Sequence, residues 1–212
     1  MNRGRFITFE GGEGVGKSTQ AQLLSAALAR RGIETVLTRE PGGTAGAEAI
    51  RSLLLGIDGD GWNPRAEALL FAAARSDHVD RLIRPALEEG RWVICDRFLD
   101  SSRAYQGGGS GVADSDLLLL HQFGSGGLMP DATILIEVPE DVTVARLASR
   151  DGDQSDRIGG RNAAYHARVA AAFSRLADEE PRRFVRVDGQ GTPEQINERV
   201  IQALDGALDN LS

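Results

Sequence analysis

Gly11-Gly12-Glu13-Gly14-Val15-Gly16-Lys17-Ser18 matches the pattern G-x-x-x-x-G-K-[ST] at every fixed position. Glycines at that spacing let backbone N–H groups converge on phosphate oxygens, and a helix opening at Lys17, with Thr19 in its first turn, turns its positive end to the same anion. Ser18 offers a hydroxyl to Mg²⁺. Lys17 is the single lysine of the chain: the other 23 of its 24 basic residues are arginine (24 − 1). Where positive charge is otherwise met by guanidinium, this position keeps a compact ammonium on a flexible stem, suited to the β- and γ-phosphates. The chemistry is that of holding a nucleoside triphosphate.

Three further clusters carry chemistry. Arg39-Glu40-Pro41-Gly42-Gly43-Thr44 follows one apolar run, and Asp96-Arg97-Phe98 follows another, leading into Ser101-Ser102-Arg103-Ala104-Tyr105-Gln106-Gly107. Phe71, Arg75 and His78 are spaced i, i+4, i+7 and share a helical face. Two arginines at strand ends beside the phosphate loop point to a second anion next to the triphosphate. Asp96 reads either as a Mg²⁺ carboxylate acting through water or as the partner of a neighbouring arginine. The polar stretch from Ser149 to Arg161 reads as a solvated loop or as a mobile lid carrying Arg150 and Arg157 to the phosphates. Arg146 and Arg150, at i, i+4, point the same way. His121 and His166 read as surface residues, and no metal-ligand cluster is visible.

The elements that must position these residues follow from the alternation of short apolar runs with longer helical patterns, which reads as an α/β protein with a parallel sheet of βαβ units. Five strands are expected, at Phe6–Phe9, Glu34–Thr38, Trp92–Cys95, Thr133–Ile136 and Phe184–Val187. Helices are expected from Lys17 to about Arg30, from Asn63-Pro64 through His78, and at Asp114–Phe123, Val142–Arg150, Ala163–Glu180 and Pro193–Leu208. The 212 residues suit one domain with a substantial core. A net charge of −7 argues against a nucleic-acid polymer as partner, because such binding needs a broad basic face. One cysteine, Cys95, cannot form an intramolecular disulfide, and no apolar run approaches the ~18 residues of a membrane span, so a cytoplasmic protein is expected.

Taken together, the glycine loop with its internal acid, Arg39-Glu40-Pro41-Gly42-Gly43-Thr44, Asp96-Arg97-Phe98 with the Ser-Ser-x-Ala-Tyr-Gln-Gly run, and Asp156-Arg157-Ile158 resemble the bacterial thymidylate kinase family from about Phe6 to Leu208. The resemblance implies a three-layer P-loop kinase fold with a small lid over approximately residues 149–161, and transfer of the γ-phosphoryl of ATP to dTMP with Mg²⁺. It implies that Phe71 stacks on thymine and Arg75 bonds a base carbonyl, against the plainer reading of a core Phe beside a surface Arg. Arg39 and Arg97 would grip the monophosphate, and Glu13 would lie near the sugar 3′-hydroxyl or the metal. Tyr105 would crowd the 2′ position, and Ser101, Ser102 and Gln106 would complete the base and sugar contacts. Lys17, Arg97 and the lid residues Arg150 and Arg157 would stabilise the transferring group. The family also implies a homodimer; the helix Asp114–Phe123, with its Leu117 to Leu120 run, reads either as an interface or as ordinary core packing.

Two departures from the family pattern stand out. Gly159 follows Asp-Arg-Ile where an acidic residue is common, and Ser102 stands where a larger polar side chain is common. Other readings remain: a P-loop kinase of another nucleoside monophosphate or of a small alcohol, or a non-catalytic nucleotide switch. A guanine-reading Asn-Lys-x-Asp motif is impossible in a chain whose lysine is spent at position 17, and no strand ends in Asp-Glu as a remodelling ATPase would require.

Overall fold

The computed structural model describes residues 3–56, 61–139, 142–143 and 161–209. Five parallel strands form one sheet in the order β2-β3-β1-β4-β5, comprising β1 (Phe6–Glu10), β2 (Thr35–Arg39), β3 (Trp92–Asp96), β4 (Ala132–Glu137) and β5 (Phe184–Asp188). β1 is buried along its whole length, as a central strand covered on both faces must be. Its side chains alternate. Ile7 and Phe9 pack with Leu24 and Leu28 of α1 (Lys17–Arg30), while Phe6 packs with Val93, Cys95 and Phe98 on the opposite face.

Among the described residues, further helices form the two outer layers. They are α2 (Ala45–Leu55), α3 (Pro64–His78), α4 (Arg84–Glu88), α5 (Leu99–Ser102), α6 (Asp114–Ser125), α7 (Ala163–Glu179) and α8 (Pro193–Asp209). α8 presents Ile196, Val200 and Leu204 at i, i+4, i+8 to the cluster around α1. On the other face, Tyr165, Val169, Phe173 and Leu176 of α7 cover Tyr105 and Leu135. The chain passes from α3 to α4 through a π-helical turn at Val79–Ile83, and a second π-helical segment, Arg103–Gly109, continues α5.

The expected five-stranded parallel sheet is present, with differences of detail. β2 is displaced by one residue from the expected Glu34–Thr38, and its last pair with β3 is Arg39 with Asp96. The helix α2 has no counterpart in the sequence reading. Its first turn contains Gly46, a weak helix former kept because a Cβ there would lie 2.7 Å from Asp77 Oδ2 of α3. Thr44 caps it, its hydroxyl accepting from Ala47 N at 3.3 Å. The start of α3 is as expected, with Asn63 capping Ala66 N at 3.0 Å and Pro64 in the first turn.

His121 is a correction: it is buried rather than at the surface. Its Nε2–H donates to Leu128 O at 2.8 Å and its ring meets Phe98 edge-on at 5.6 Å. Burial pushes its imidazole down to about 4, so it stays neutral at physiological pH. His166 is half-buried. The expected helix Val142–Arg150 beyond Thr143, and the lid with Arg146, Arg150, Asp156, Arg157, Ile158 and Gly159, lie outside the described residues.

Candidate active site

At the carboxyl end of β1 the backbone turns sharply. Gly11 has φ 133°, and a Cβ there would lie 2.6 Å from Ile136 O, while Gly16, at φ 98°, caps α1. Both positions lie in backbone space that a side chain would strain. Lys17, in the first turn of α1, bends back over the loop and donates to Gly12 O at 2.6 Å and Gly11 O at 3.2 Å. Burial depresses its ammonium to about 8, with Arg97 acting in the same direction. Ser18 donates from its hydroxyl to Asp96 Oδ2 of the neighbouring strand end, and Asp96 Oδ1 is buried without a protein partner.

Beside this loop opens a cleft of about 310 Å³, at the carboxyl ends of β1, β2 and β3 where an open α/β sheet gathers its ligands. It brings together most of the residues singled out in the sequence. Glu13, Gly14, Gly16, Lys17, Ser18 and Thr19 line its donor end. Arg39, Phe71, Arg75 and Asp96 line it from β2, α3 and β3. Arg97, Ser101, Ser102, Tyr105 and Gln106 close the far wall. Gly11, Gly12 and Val15 are not in its lining: the first two serve through their carbonyls, and Val15 is buried in the core behind the loop.

Arg97 is the hub of this wall. It sits at φ 71°, the left-handed region in a non-glycine residue, where β3 ends. Its guanidinium donates to Glu13 Oε1 at 2.6 Å, to Tyr105 Oη at 3.2 Å, to Ser101 Oγ at 3.1 Å and to Gly11 O at 3.2 Å. The Arg97 charge holds the Glu13 carboxyl down at about 2, against burial. Ser101 in turn donates to Glu10 Oε2 at 2.6 Å, so its hydroxyl serves to fix Arg97. Glu10 also accepts from Phe98 N at 2.8 Å, while burial and nearby Asp100 push its carboxyl up to about 8. Arg39 is more exposed and pairs with Glu48 at 3.0 Å.

At the opposite end Arg75 is buried, contrary to the plainer reading of a surface arginine. Nε donates to Glu40 Oε2 at 2.8 Å, and Nη2 donates to Ser102 Oγ at 2.9 Å and Phe98 O at 3.2 Å. Its Nη1 has no protein partner among the described residues and is not a buried orphan, so it is open to the cleft. Ser102, small where the family pattern is larger, thus serves as an acceptor for Arg75. Glu40 is held from behind by His78 Nδ1 at 3.0 Å, and His78 Nε2 bonds Thr38 Oγ1 at 2.8 Å. Gly43 lies against this pair: a Cβ there would come within 2.4 Å of Thr38 Oγ1 and 2.6 Å of His78 Nε2.

The segment carrying Tyr105 and Gln106 is anchored by Asp100, which is fully buried. Arg183 reaches both its carboxylate oxygens, at 2.5 and 2.9 Å, and Arg103 approaches at 3.4 Å. Tyr165 of α7 donates to Tyr105 O at 3.0 Å. The loop after β5 is held separately, Arg199 donating to Asp188 O and Gln190 O at 2.7 Å each.

Several residues of this site escape a sequence reading. Glu40, Glu67 and Glu10 act as acceptors behind arginines or amides, and Arg51 of α2 lines the cleft while donating to Pro41 O at 2.8 Å. Glu40 lies inside the quoted Arg-Glu-Pro motif and His78 on the quoted face of α3, which were the available signals. Glu67 had one too: with Phe71 and Arg75 it falls at i, i+4, i+8.

Comparison with known proteins adds three findings. A family model described as Thymidylate kinase matches residues 9–200. A curated thymidylate kinase from Rhizorhabdus wittichii is 57% identical over 205 residues, covering 97% of this chain and 99% of that protein, and one from Rhodopseudomonas palustris is 48% identical over 204 residues, covering 95% and 89%. The crystal structure of thymidylate kinase from Ehrlichia chaffeensis superposes with a TM-score of 0.78 at 33% identity, covering 95% of this chain and 99% of that one.

Proposed function

The chain belongs to the thymidylate kinase family, and from that membership we propose how its cleft divides the work between two nucleotides. The enzyme phosphorylates dTMP, with ATP as phosphate donor. In our assignment the ATP phosphates lie on the loop Gly11–Thr19 and on Lys17. The monophosphate lies between Arg39 and Arg97, and thymine lies over Phe71 with its 4-carbonyl on Arg75 Nη1 and its N3–H on Gln106 Oε1. Tyr105 and Glu13 border the sugar. The observation that carries this reading is a single cleft with a phosphate loop at one end and an aromatic ring beside a buried, directed arginine at the other.

The donor set also suits Mg²⁺. Ser18 Oγ lies against Asp96, whose second oxygen is buried and unpartnered, and Mg²⁺ characteristically takes one or two protein oxygens plus phosphate and water. Held by Ser18 and Asp96, it would supply positive charge against the phosphates.

The acceptor needs no general base, because a phosphate monoester is already largely dianionic at neutral pH, with its second pKa about 6. What the protein must do is bring two anions together and spread the charge of the transferring group. Lys17 and Arg97, which both donate to Gly11 O at 3.2 Å, are assigned to that charge from the phosphate loop and the end of β3. Glu13 orients Arg97 by accepting one of its N–H groups, and Tyr105 and Ser101 hold the rest of the guanidinium fan in place. Arg150 and Arg157 are assigned to the same charge from the lid at about residues 149–161, the whole forming a single kinase domain.

We also assign a homodimer and a cytoplasmic location. The dimer is supported by an apolar face on α3 and α6 where Leu69 is 55%, Leu119 68% and Phe123 93% exposed. A contiguous exposed patch of that kind marks an interaction surface. Among the described residues no helix is long and apolar enough to cross a membrane.

The function is tested by an ADP-release assay run in parallel with dTMP, dUMP, CMP, AMP, GMP and shikimate. The highest kcat/KM is expected with dTMP. ATP binding without turnover on any acceptor would point instead to a nucleotide switch.

A further inference from the structure

Behind Gln106 stands a buried carboxylate, Glu67, which no step of the reaction uses. It is 2% exposed and sits on α3 one turn before Phe71 and two turns before Arg75. Its Oε1 accepts from Gln106 Nε2 at 3.0 Å, and its Oε2 accepts from Arg161 Nη2 at 2.8 Å. Arg161 is fixed independently, donating to Ser110 Oγ at 2.9 Å and stacking over Tyr165 at 4.5 Å. Gln106 Oε1 has no protein partner among the described residues, yet it is not a buried orphan, so it is open to the cleft that Gln106 lines.

An amide can face the cleft either way round, offering a donor or an acceptor. A carboxylate behind it removes that freedom, because it takes the amide N–H and leaves the oxygen outward. We propose that Glu67 is a specificity-determining positioning residue: it locks Gln106 with Oε1 toward the base, so that the wall presents an acceptor beside the donor of Arg75. A 4-oxo pyrimidine shows the complementary edge, a carbonyl acceptor at C4 beside an N–H donor at N3. Cytosine shows the reverse, an amino donor at C4 beside an unprotonated N3. This inference rests on the proposed placement of the base against Phe71, Arg75 and Gln106.

Glu67→Gln gives a directional test. Arg161 has donors alone, so it claims the one amide oxygen of the new glutamine. The amide nitrogen then faces Gln106, which must turn its own oxygen inward and present NH₂ to the base. N3–H of thymine meets a donor, whereas N3 of cytosine gains one.

The measurement is kcat/KM for dTMP and for dCMP, with KM for ATP and the thermal midpoint, on the full chain. A lost buried hydrogen bond should lower the dTMP-to-dCMP ratio by at least ~10-fold in Glu67→Gln, with KM for ATP unchanged. Gln106→Met removes the acceptor at similar volume and carries the test should the first variant not fold: dTMP turnover should fall by at least ~10-fold while that of dCMP does not fall with it. A ratio within about twofold of the parent in whichever variant folds, even with a lowered thermal midpoint, overturns the proposal and leaves Glu67 a packing residue. A parent enzyme that turns over neither nucleotide overturns the underlying functional reading as well.

Discussion

The two ends of the cleft are built by opposite means. The donor end is made by nine consecutive residues, Gly11 to Thr19, whose backbone turns supply the shape and whose one side-chain cation lies back on its own loop carbonyls. The acceptor end is assembled from β2, α3, β3 and the π-helical segment, and its cation is fixed by a carboxylate that is itself fixed by a histidine. A cradle of backbone is indifferent to which side chain enters it. A buried ionic network is not, because removing one member strands another. Function and stability should therefore come apart at the donor end and stay joined at the buried Arg75–Glu40–His78 network of the acceptor end.

The largest expected effect is at Lys17. Lys17→Met should lower kcat by about 10²–10³-fold, the scale for one preorganised charge on a developing anion. It should not lower the thermal midpoint, since folding already holds this ammonium below its ordinary range, to about 8. Steady-state kinetics with calorimetric melting checks both, and a large loss of stability would break the contrast.

Arg75→Met should do the reverse at the other end. It leaves Glu40 buried with His78 as its remaining side-chain partner, so a destabilisation of about 3–5 kcal/mol is expected, together with a raised KM for dTMP. Urea unfolding at constant slope would measure it.

A smaller effect follows from pH. ATP requires the Lys17 ammonium, which in the free protein is lost as pH rises through about 8. ATP binding should therefore be flat below that pH and about tenfold weaker at pH 9 than at pH 7. Calorimetric titration of ATP in the absence of acceptor checks this, and a flat profile to pH 9 would mean that the loop carbonyls keep the ammonium charged.

The smallest expected stability change is at Arg39, an exposed arginine of the acceptor end. Arg39→Met should shift stability by no more than about 0.5 kcal/mol while raising KM for dTMP. A destabilisation matching that of Arg75→Met would show that burial does not separate these two arginines.

The same contrast decides what could be read from the sequence. The phosphate loop is legible because its function is local: glycine spacing, lysine and serine are contiguous, and the apolar runs around them fix the sheet. Arg39, Phe71, Arg75, Arg97 and Tyr105 emerge through motif resemblance and strand-end placement. What no spacing rule supplies is the pairing that aims them. Glu40 meets Arg75 across 35 positions and His78 across 38, and Glu67 meets Gln106 across 39, distances at which sequence carries no periodic signal. The burial of His121 is hidden for a related reason, since its place after Leu117–Leu120 gives no sign that Leu128 O will accept its N–H. The helix α2 is not legible in the sequence because Gly46 serves a close approach to α3, which weakens the local propensity.

A crystal structure of the ternary complex with dTMP and a non-hydrolysable ATP analogue tests the central assignment most directly. The analogue's terminal phosphate is expected at Lys17, the acceptor phosphate between Arg39 and Arg97, and the thymine ring on Phe71 with its 4-carbonyl at Arg75. A thymidine nucleotide bound away from Arg97 and Phe71, with the analogue still on the glycine loop, would contradict it.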